Sequence, residues 1–302
     1  MLAKEPSLSL ARLISQNPSG YLGKEHARIY DSSPGILVKV IDAAERLTIQ
    51  VHPNRKTAAE LFDSRFGKTE CWHILGGREV DGEPPCVYLG FRPGITPEYW
   101  EELFRRQDTE GMLDCLHRFP VAPGDTILVE GSVPHAIGAG CYLVEIQEPT
   151  DFTIRVERKT PTGLVVEDEA CHQGLGFQKM FSCFHYQGYT RESAMEKWFL
   201  AQQREKGVGY EITELVGQEQ TPYFGLRRLS VSKKLTLSAD ERFFGSYVFE
   251  GIGKLYSGCG TYELKPGSVF FFPAGVGDSI IENSGSEPVQ MLQYFGPFGK
   301  NH

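Results

Sequence analysis

The chain has 302 residues, of which 40% are hydrophobic, so it is long and apolar enough to form one large core or two smaller ones. Its formal net charge of −8 provides no basic surface of the kind that binds nucleic acid or anionic membranes. The sequence contains neither a signal-peptide core nor a run approaching the roughly 20 apolar residues of a membrane span, which predicts a cytoplasmic protein without a membrane partner.

The cysteines give no sign of a disulfide framework or a cysteine metal site. They are odd in number, widely spread and without a CxxC pair, so we expect reduced packing residues. The seven positions are Cys71, Cys86, Cys115, Cys141, Cys171, Cys183 and Cys259.

Helix and strand signals begin near the N-terminus. Residues 8–16 favour a short helix, and the Gly, Pro, Ser and Asp residues that follow favour irregular structure. The apolar run 35–41 predicts a buried strand, interrupted by Lys39. A lysine in such a run either extends its ammonium group to solvent at a strand end or points into a polar cavity.

Metal-compatible side chains first occur in the segment TIQVH. Gln50 and His52 are two residues apart, so an extended strand would direct the Gln50 amide oxygen and a His52 ring nitrogen to one face. Val51 would point to the opposite face. A lone histidine on a strand is usually packed or exposed, so this pair by itself does not establish a metal site.

A second predicted strand adds a carboxylate. After a short helix predicted over residues 55–66, the strand-like run 69–75 carries Glu70 as a third possible ligand. Lys68 shares the face of Glu70 if the strand has begun, and it either reaches a bound molecule or forms a surface salt bridge. His135, in the turn GSVPH, is the fourth candidate. One Gln, one Glu and two His suit zinc and would accept other divalent metals.

The middle of the chain combines a helical segment with further strands. The segment 96–116 begins with Thr-Pro-Glu, has helical apolar spacing and is interrupted near Gly111. Strands follow over residues 126–129, 142–147 and 150–155. Glu145 and Arg155 lie in the last two, and each alone is an ordinary strand charge. Arg155 could form an ion pair with Asp151 or Glu157.

One stretch of the sequence occurs twice. APGDTILVEGSVPHAI, from Ala122, resembles KPGSVFFFPAGVGDSI, from Lys265. Twelve positions separate the turn proline from a polar residue in each copy, His135 in the first and Asp278 in the second. Counting upstream places Gly245 opposite Glu70, so two ligand positions lack a matching residue in the second copy. We therefore predict two similar β modules, the second of them structural and metal-free.

These patterns predict a mainly β protein with two cupin-type jelly-roll β modules and a few short helices. The predicted boundaries are an irregular or helical segment 1–34, a metal-binding cupin domain 35–160 with a helical insertion near 96–116, a linker 161–220 and a second, metal-free cupin domain 221–302. Within the linker, residues 176–185 indicate a strand. Residues 191–206 indicate a helix that packs through Ser193, Ala194, Met195 and Trp198.

Three blocks of sequence, IQVHPN, GKTECW and PGD…VPHA…YLVEIQEPTDFTIR, resemble the type I phosphomannose isomerases, particularly the short bacterial form without the family's large helical insertion. The resemblance is close over residues 35–158 and only general in the C-terminal third. Members of that family are zinc-dependent cupins. The resemblance therefore implies one Zn²⁺ per chain, bound by Gln50, His52, Glu70 and His135.

The resemblance also implies an activity, the interconversion of mannose 6-phosphate and fructose 6-phosphate by proton transfer through an enediol(ate). Glu145 would transfer the proton, with Lys68 as the alternative, and Arg155 would stabilise developing oxyanion charge. Lys39, Thr48 and Lys68 would position hydroxyl or phosphate groups. The expected partner is a small sugar phosphate, and the expected assembly is a monomer or a homodimer.

The chain departs from the family pattern in two places. No Trp precedes Trp72, so the family's N-terminal Trp-Gly-Gly motif is absent, and Arg158 and Lys159 only approximate its phosphate-binding lysine. These differences leave open an isomerase of a related sugar phosphate. Two other classes remain: a non-catalytic, metal-containing cupin that binds a sugar phosphate or has a regulatory role, and a storage-type double cupin without stoichiometric metal.

Overall fold

The structure is a computed structural model that describes residues 8–238 and 241–298. It is mainly β with cupin-like sheets, as predicted, and falls into two compact units. One unit contains Leu37–Ala201, and the other combines the residues up to Ile36 with those from Gln202 onward. None of the helices in the described ranges is long and apolar enough to cross a membrane.

Short helices and many strands make up the described residues. The helices are α1 (Leu10–Gln16), α2 (Pro18–Leu22), α3 (Lys24–Tyr30), α4 (Arg55–Phe62), α5 (Pro97–Arg106), α6 (Thr109–Asp114), α7 (Asp168–His172), α8 (Phe177–Met180), followed by a 3₁₀ turn at Phe181–Cys183, and α9 (Arg191–Trp198). The strands of the first unit are β1 (Leu37–Asp42), β2 (Gln50–Val51), β3 (Glu70–Gly77), β4 (Cys86–Phe91), β5 (Leu116–Pro120), β6 (Thr126–Val129), β7 (His135–Ile137), β8 (Cys141–Gln147) and β9 (Ile154–Arg155). Those of the other unit are β10 (Gln203–Gly207), β11 (Tyr210–Val216), β12 (Gly225–Val231), β13 (Lys234–Leu237), β14 (Phe244–Glu250), β15 (Gly253–Ser257), β16 (Gly260–Leu264), β17 (Val269–Phe272), β18 (Ser279–Asn283) and β19 (Val289–Phe295).

Two antiparallel sheets form the unit Leu37–Ala201. One has the order β1-β8-β3-β6 and the other the order β5-β4-β7-β2-β9. Fully buried side chains from both sheets, among them Trp72 and Leu143 from the first and Val87 and Ile137 from the second, share one hydrophobic core. Such packing between two facing sheets is the jelly-roll arrangement expected for a cupin.

The other unit repeats this strand order. Its sheets run β10-β11-β12-β19-β14-β17 and β13-β18-β15-β16, so β12-β19-β14-β17 matches β1-β8-β3-β6. Glu70 pairs with the last residues of β6 and β8, and Phe244 pairs with the last residues of β17 and β19. The structural counterpart of Glu70 is therefore Phe244, one residue before the Gly245 found by counting. Its ring stacks on Phe272 at 4.3 Å between centroids, so apolar packing occupies this position.

Strand β1 differs from its prediction because it is not buried. Leu37 is 38% exposed and Val40 is 47% exposed. The strand lies at the edge of its sheet and pairs only with β8, so an apolar run alone does not distinguish it from a central strand. Lys39, in the middle of β1, has a side chain that is 34% exposed.

The helical insertion begins as predicted but is interrupted earlier. The Thr96 side chain accepts a hydrogen bond from Tyr99 N, and Pro97 is the first residue of α5. The interruption lies at Gln107, which has a left-handed φ of 51°, and not near Gly111. Gly111 lies within α6 instead.

The region after residue 161 also differs from the prediction. The segment predicted as a strand over 176–185 contains α8 and a 3₁₀ turn, because its phenylalanines recur at helical spacing and bury one face. The helix predicted over 191–206 ends at Trp198, and β10 starts at Gln203. Ala194 and Trp198 are fully buried as predicted, whereas Met195 is 44% exposed on the other face.

Gly90 provides a test of the packing in the unit Leu37–Ala201. It has a φ of +70°, and a Cβ added there would lie 2.1 Å from the Trp198 ring. We expect Gly90→Ala to lower the free energy of unfolding by about 3 kcal/mol, because left-handed strain adds to overpacking. The matched control is Gly94, with a φ of +85° and no atom within 4 Å of its Cβ position. Gly94→Ala should cost only about 1 kcal/mol in denaturant unfolding, and equal losses would contradict the packing explanation.

Candidate metal centre and active site

The short strand β2 lies between two strands that carry other candidate residues. Gln50 pairs with His135 of β7 on one side and with Arg155 of β9 on the other. Residues directly opposite each other in antiparallel strands point to the same face, so this register places the three candidates side by side. Val51 packs into the hydrophobic core on the opposite face.

His52, Glu70 and His135 form a compact, buried cluster. His52 Nε2 lies 3.1 Å from Glu70 Oε1 and 3.2 Å from His135 Nε2. His135 Nε2 lies 3.7 Å from Glu70 Oε2. Among residues 8–238 and 241–298, this is the only group of at least three His, Cys, Asp or Glu side chains arranged closely enough to hold a metal ion.

Backbone acceptors determine which ring nitrogens carry the protons. His52 Nδ1 donates to Phe152 O and His135 Nδ1 donates to Val133 O, each at 2.8 Å. A neutral ring that donates through Nδ1 keeps its lone pair on Nε2. The two Nε2 lone pairs therefore face each other and the Glu70 carboxylate, an arrangement typical of metal-binding histidines.

The ionisation of the cluster also suits a cation. Burial lowers the pKa of His52 and lowers the pKa of His135 to about 3, so both rings are neutral near pH 7. Burial alone would raise the pKa of Glu70, but its interactions with the protonated form of His52 and with the Lys68 ammonium group lower that pKa below its usual range. Neither Glu70 oxygen has a hydrogen-bond partner. Buried lone pairs without donors are costly, and this set of two imidazoles and a carboxylate fits a divalent metal such as zinc.

Gln50 reaches the same cluster. Its Nε2 lies 3.4 Å from His135 Nε2, and its side chain is buried. A half-turn of the amide group would present the oxygen to the cluster in place of the nitrogen. The structure thus brings all four candidate ligands together.

Glu145 lies in the sheet beside this cluster and has polar contacts on both oxygens. Lys39 Nζ lies 3.2 Å from Oε1, and Trp72 Nε1 donates to Oε2 at 3.1 Å. Burial, together with the negative charge of Glu70, raises the pKa of Glu145 to about 7. Burial acts to lower the pKa of Lys39, but the carboxylates of Glu145 and Asp151 raise it overall. Glu145 is therefore a carboxyl group that can exchange a proton near neutral pH.

Lys68 connects the metal cluster with a surface loop. Its Nζ lies 3.4 Å from Glu70 Oε1 and donates to Thr153 Oγ1 at 3.0 Å. It also lies 3.5 Å from Asp151 Oδ1. Lys68 is 3% exposed, so the alternative of a surface salt bridge is wrong.

Arg155 and Thr48 lie in another part of the site. Both line a pocket of about 450 Å³ that also includes Gln50. Arg155 Nη1 donates to Ala170 O at 2.8 Å. The predicted alternative of an ion pair with Asp151 or Glu157 is wrong for Arg155, because Asp151 contacts the two lysines and Glu157 binds Arg46.

Neither of the two approximate phosphate-binding residues contacts the metal cluster in the interactions that the described residues make. Arg158 forms an ion pair with Asp168, and Lys159 forms an isolated β-bridge with Val165. Both positions belong to the segment after β9.

Two residues of the site have roles that sequence reasoning does not identify. Trp72 donates to Glu145, and its position two residues after Glu70 on one strand was an available signal. Asp151 contacts Lys39 and Lys68 at 3.5 Å each, and no local pattern indicates that pairing.

We expect the metal-free protein to lose stability as the pH falls below about 6.5. The folded pKa values of His52 and His135 are depressed, so the unfolded chain binds more protons below the ordinary histidine pKa. Above that pKa the two rings do not reduce the free energy of unfolding. Below it, each ring reduces the free energy of unfolding by up to about 1.4 kcal/mol per pH unit. The raised pKa of Glu145, about 7, acts in the opposite direction over the same range, because the folded protein then binds a proton that the unfolded chain does not. Urea unfolding with a chelator should therefore show a net loss of only about 1–2 kcal/mol between pH 7.5 and pH 5.

The control for this pH dependence is His135→Asn, which removes one of the two rings. Its unfolding free energy should lose about 2 kcal/mol less between pH 7.5 and pH 5, so that it changes little with pH. Glu70 does not mask the effect, because its depressed pKa removes stability only near and below the ordinary carboxyl pKa of about 4.5. An equally steep change in His135→Asn would contradict the assignment of a buried, neutral His135.

Comparison with known proteins identifies similar sequences. The family model for the mannose-6-phosphate isomerase cupin domain matches residues 213–287. The putative mannose-6-phosphate isomerase YvyI of Bacillus subtilis is 28% identical over 273 residues, which cover 87% of this chain and 78% of that protein. Mannose-6-phosphate isomerase ManA of Bacillus subtilis is 26% identical over 268 residues, which cover 86% of this chain and 77% of the relative.

Solved structures show similarity in fold as well. The crystal structure of mannose 6-phosphate isomerase from Bacillus subtilis matches with a TM-score of 0.68 at 26% identity. The matched region covers 86% of this chain and 74% of the chain in that crystal structure. The structure of a zinc-bound mannose 6-phosphate isomerase matches with a TM-score of 0.72 at 14% identity. The matched region covers 96% of this chain and 86% of the chain in that structure. At that identity, the second similarity concerns the fold alone.

Proposed function

This chain belongs to the type I phosphomannose isomerase family of cupins, and from that premise we propose that it interconverts mannose 6-phosphate and fructose 6-phosphate. The observation that carries the proposal is a buried set of metal donors in the same unit as Glu145, a buried carboxyl group with a pKa raised to about 7. A storage-type double cupin needs neither feature. We keep the expectation of a monomer or a homodimer.

The proposed metal ligands are Gln50, His52, Glu70 and His135, with one Zn²⁺ per chain and other divalent metals as possible substitutes. When bound, the metal supplies positive charge that polarises a sugar carbonyl. Two neutral imidazoles, a neutral amide and one carboxylate carry a single negative charge. This donor set therefore neutralises only part of the charge of a divalent ion.

Glu145 is the proposed proton carrier. An aldose–ketose isomerisation moves a proton between C1 and C2 of the open-chain sugar through an enediol(ate). A carboxyl group with a pKa near 7 can accept that proton and return it at neutral pH. The contacts from Trp72 and Lys39 to its two oxygens support this role, because they restrain the orientation of the carboxylate.

The remaining residues are assigned to charge stabilisation and positioning. Arg155 would stabilise oxyanion charge with its planar guanidinium group, which the Ala170 carbonyl helps to orient. Lys39 and Lys68 would bind hydroxyl or phosphate oxygens, and Lys68 is the alternative proton carrier. Thr48 would contact the substrate from the pocket that it shares with Gln50 and Arg155.

A coupled assay of the zinc-loaded protein with mannose 6-phosphate tests this function. We expect turnover that a chelator abolishes and that added zinc restores. Binding of mannose 6-phosphate without turnover would favour the non-catalytic or regulatory cupin. Because no Trp precedes Trp72, the same assay should include other aldose phosphates, and turnover of only one of these would indicate a related isomerase.

A further inference from the structure

Asp151 is an exposed carboxylate that contacts two lysines of the proposed substrate site. Its Oδ1 lies 3.5 Å from Lys39 Nζ and 3.5 Å from Lys68 Nζ. The Asp151 side chain is 80% exposed, whereas the Lys68 side chain is only 4% exposed. A residue on a surface loop therefore supplies negative charge to a nearly buried ammonium group.

The same two lysines contact different carboxylates on the inner side of the site. Lys39 Nζ lies 3.2 Å from Glu145, and Lys68 Nζ lies 3.4 Å from Glu70. Glu70 and Glu145 are at most 4% exposed, so neither can move into water without a large rearrangement. Asp151 can do so, because its side chain is already 80% exposed and its contacts to both lysines are long, at 3.5 Å. Of the three carboxylates that contact these lysines, only Asp151 can therefore be displaced by a ligand.

The backbone of the loop is held in place around Asp151. Thr150 Oγ1 donates to Gly67 O at 2.6 Å, and Gln147 Nε2 donates to Thr150 O at 2.6 Å. Rotation of the Asp151 side chain alone would therefore remove its carboxylate from both ammonium groups, which keep their other contacts.

We propose that Asp151 is a specificity-determining residue that occupies, as an internal anion, the position taken by the phosphoryl group between Lys39 and Lys68. The identification of that group as part of a sugar phosphate rests on the proposed function. A neutral sugar gains little from two ammonium groups that already share a carboxylate, and a monoanion only replaces one carboxylate by another. A dianionic phosphoryl group brings more charge and a third acceptor oxygen, so it displaces Asp151.

Titration calorimetry of the zinc-loaded protein with inorganic phosphate, at constant ionic strength, tests this inference. Asp151→Asn removes the competing charge with little change in shape. We expect it to bind phosphate about fivefold more tightly than the unsubstituted protein, a ratio that corresponds to about 1 kcal/mol of competing interaction with the two lysines. Asp151→Ser, a second neutral replacement, should change the affinity in the same direction.

Two further variants separate a local effect from a general one. Glu83 is a matched control, since its carboxylate is 70% exposed and pairs with Arg118 at 2.6 Å in the same unit. Glu83→Gln makes the same change in net charge and should leave phosphate affinity unchanged. The double variant Lys39→Gln, Asp151→Asn should bind phosphate no more tightly than the unsubstituted protein, because one of the two ammonium groups is missing.

Unchanged or weaker phosphate binding by both Asp151 variants would overturn the inference. So would an equal gain in Glu83→Gln, or a gain that persists without Lys39. The readout is the binding of inorganic phosphate, so it does not depend on isomerase activity. If the variants show the expected phosphate affinities but the protein has no isomerase turnover, the anion site is supported and the proposed function is contradicted.

Discussion

Glu145→Gln is expected to lower the turnover of mannose 6-phosphate by about 10²- to 10⁴-fold, the usual effect of removing a general base. Glutamine keeps the size of the side chain and can still accept a hydrogen bond from Trp72, but it cannot take up the substrate proton. Glu145 contacts Lys39 and Trp72 and is not one of the proposed metal ligands. Zinc content should therefore remain at one per chain.

The pH dependence of the reaction gives an independent test of the same residue. Burial raises the pKa of Glu145 to about 7, and a base must be deprotonated to act. The rate of the unsubstituted protein should therefore fall as the pH decreases through about 7. That acid limb should be absent from the residual activity of Glu145→Gln.

These measurements require a variant that is folded and loaded with metal. Thermal unfolding and elemental analysis provide the two controls. Near-normal turnover by a folded, zinc-loaded Glu145→Gln would assign proton transfer to another group, and Lys68 would then be the first to test.

The second large effect is expected from removing two metal ligands. The double variant His52→Ala, His135→Ala loses both neutral imidazoles of the cluster, and the Glu70 carboxylate alone is a weak zinc ligand. Zinc should fall from one per chain to a trace, and turnover should fall by about 10³-fold or more, because a metal Lewis acid contributes several kcal/mol. Elemental analysis of the purified variant measures the first effect, and the coupled assay measures the second.

Asp278→Ala is the matched control for metal loss. Asp278 is the sequence counterpart of His135 in the second repeat, but it is exposed and lies outside the cluster. Its substitution should change neither zinc content nor turnover. Unchanged zinc in His52→Ala, His135→Ala would show that the metal site has been assigned to the wrong residues.

Features that depend on neighbouring residues could be predicted from the sequence. The two-residue spacing of Gln50 and His52 follows from the alternation of side chains in a strand. The start of α5 follows from Thr96 and Pro97, whose capping geometry involves only the next few residues. The repeated segment likewise indicates the matching strand order of the two units. In each case the physical cause acts over a few residues or recurs in the sequence itself.

Errors arose where local patterns have more than one outcome. An apolar run such as β1 is compatible with a central strand or an edge strand, and only the pairing of the sheet decides its exposure. The aromatic residues of 176–185 allow either a strand or a helical turn, depending on the core that they cover. Counting between the repeats missed the counterpart of Glu70 by one residue, since strand register depends on pairing and not on sequence distance.

The site itself depends on contacts between distant parts of the chain. The pairing of β2 with β7 joins His135 to Gln50, and the Phe152 and Val133 carbonyls select the tautomers that expose both Nε2 lone pairs. Burial beside Glu70 gives Glu145 its raised pKa. The sequence by itself determined which side chains could act and where short elements would begin. Only the tertiary structure decided their protonation, orientation and partners, because hydrogen bonding and desolvation depend on which distant groups become neighbours.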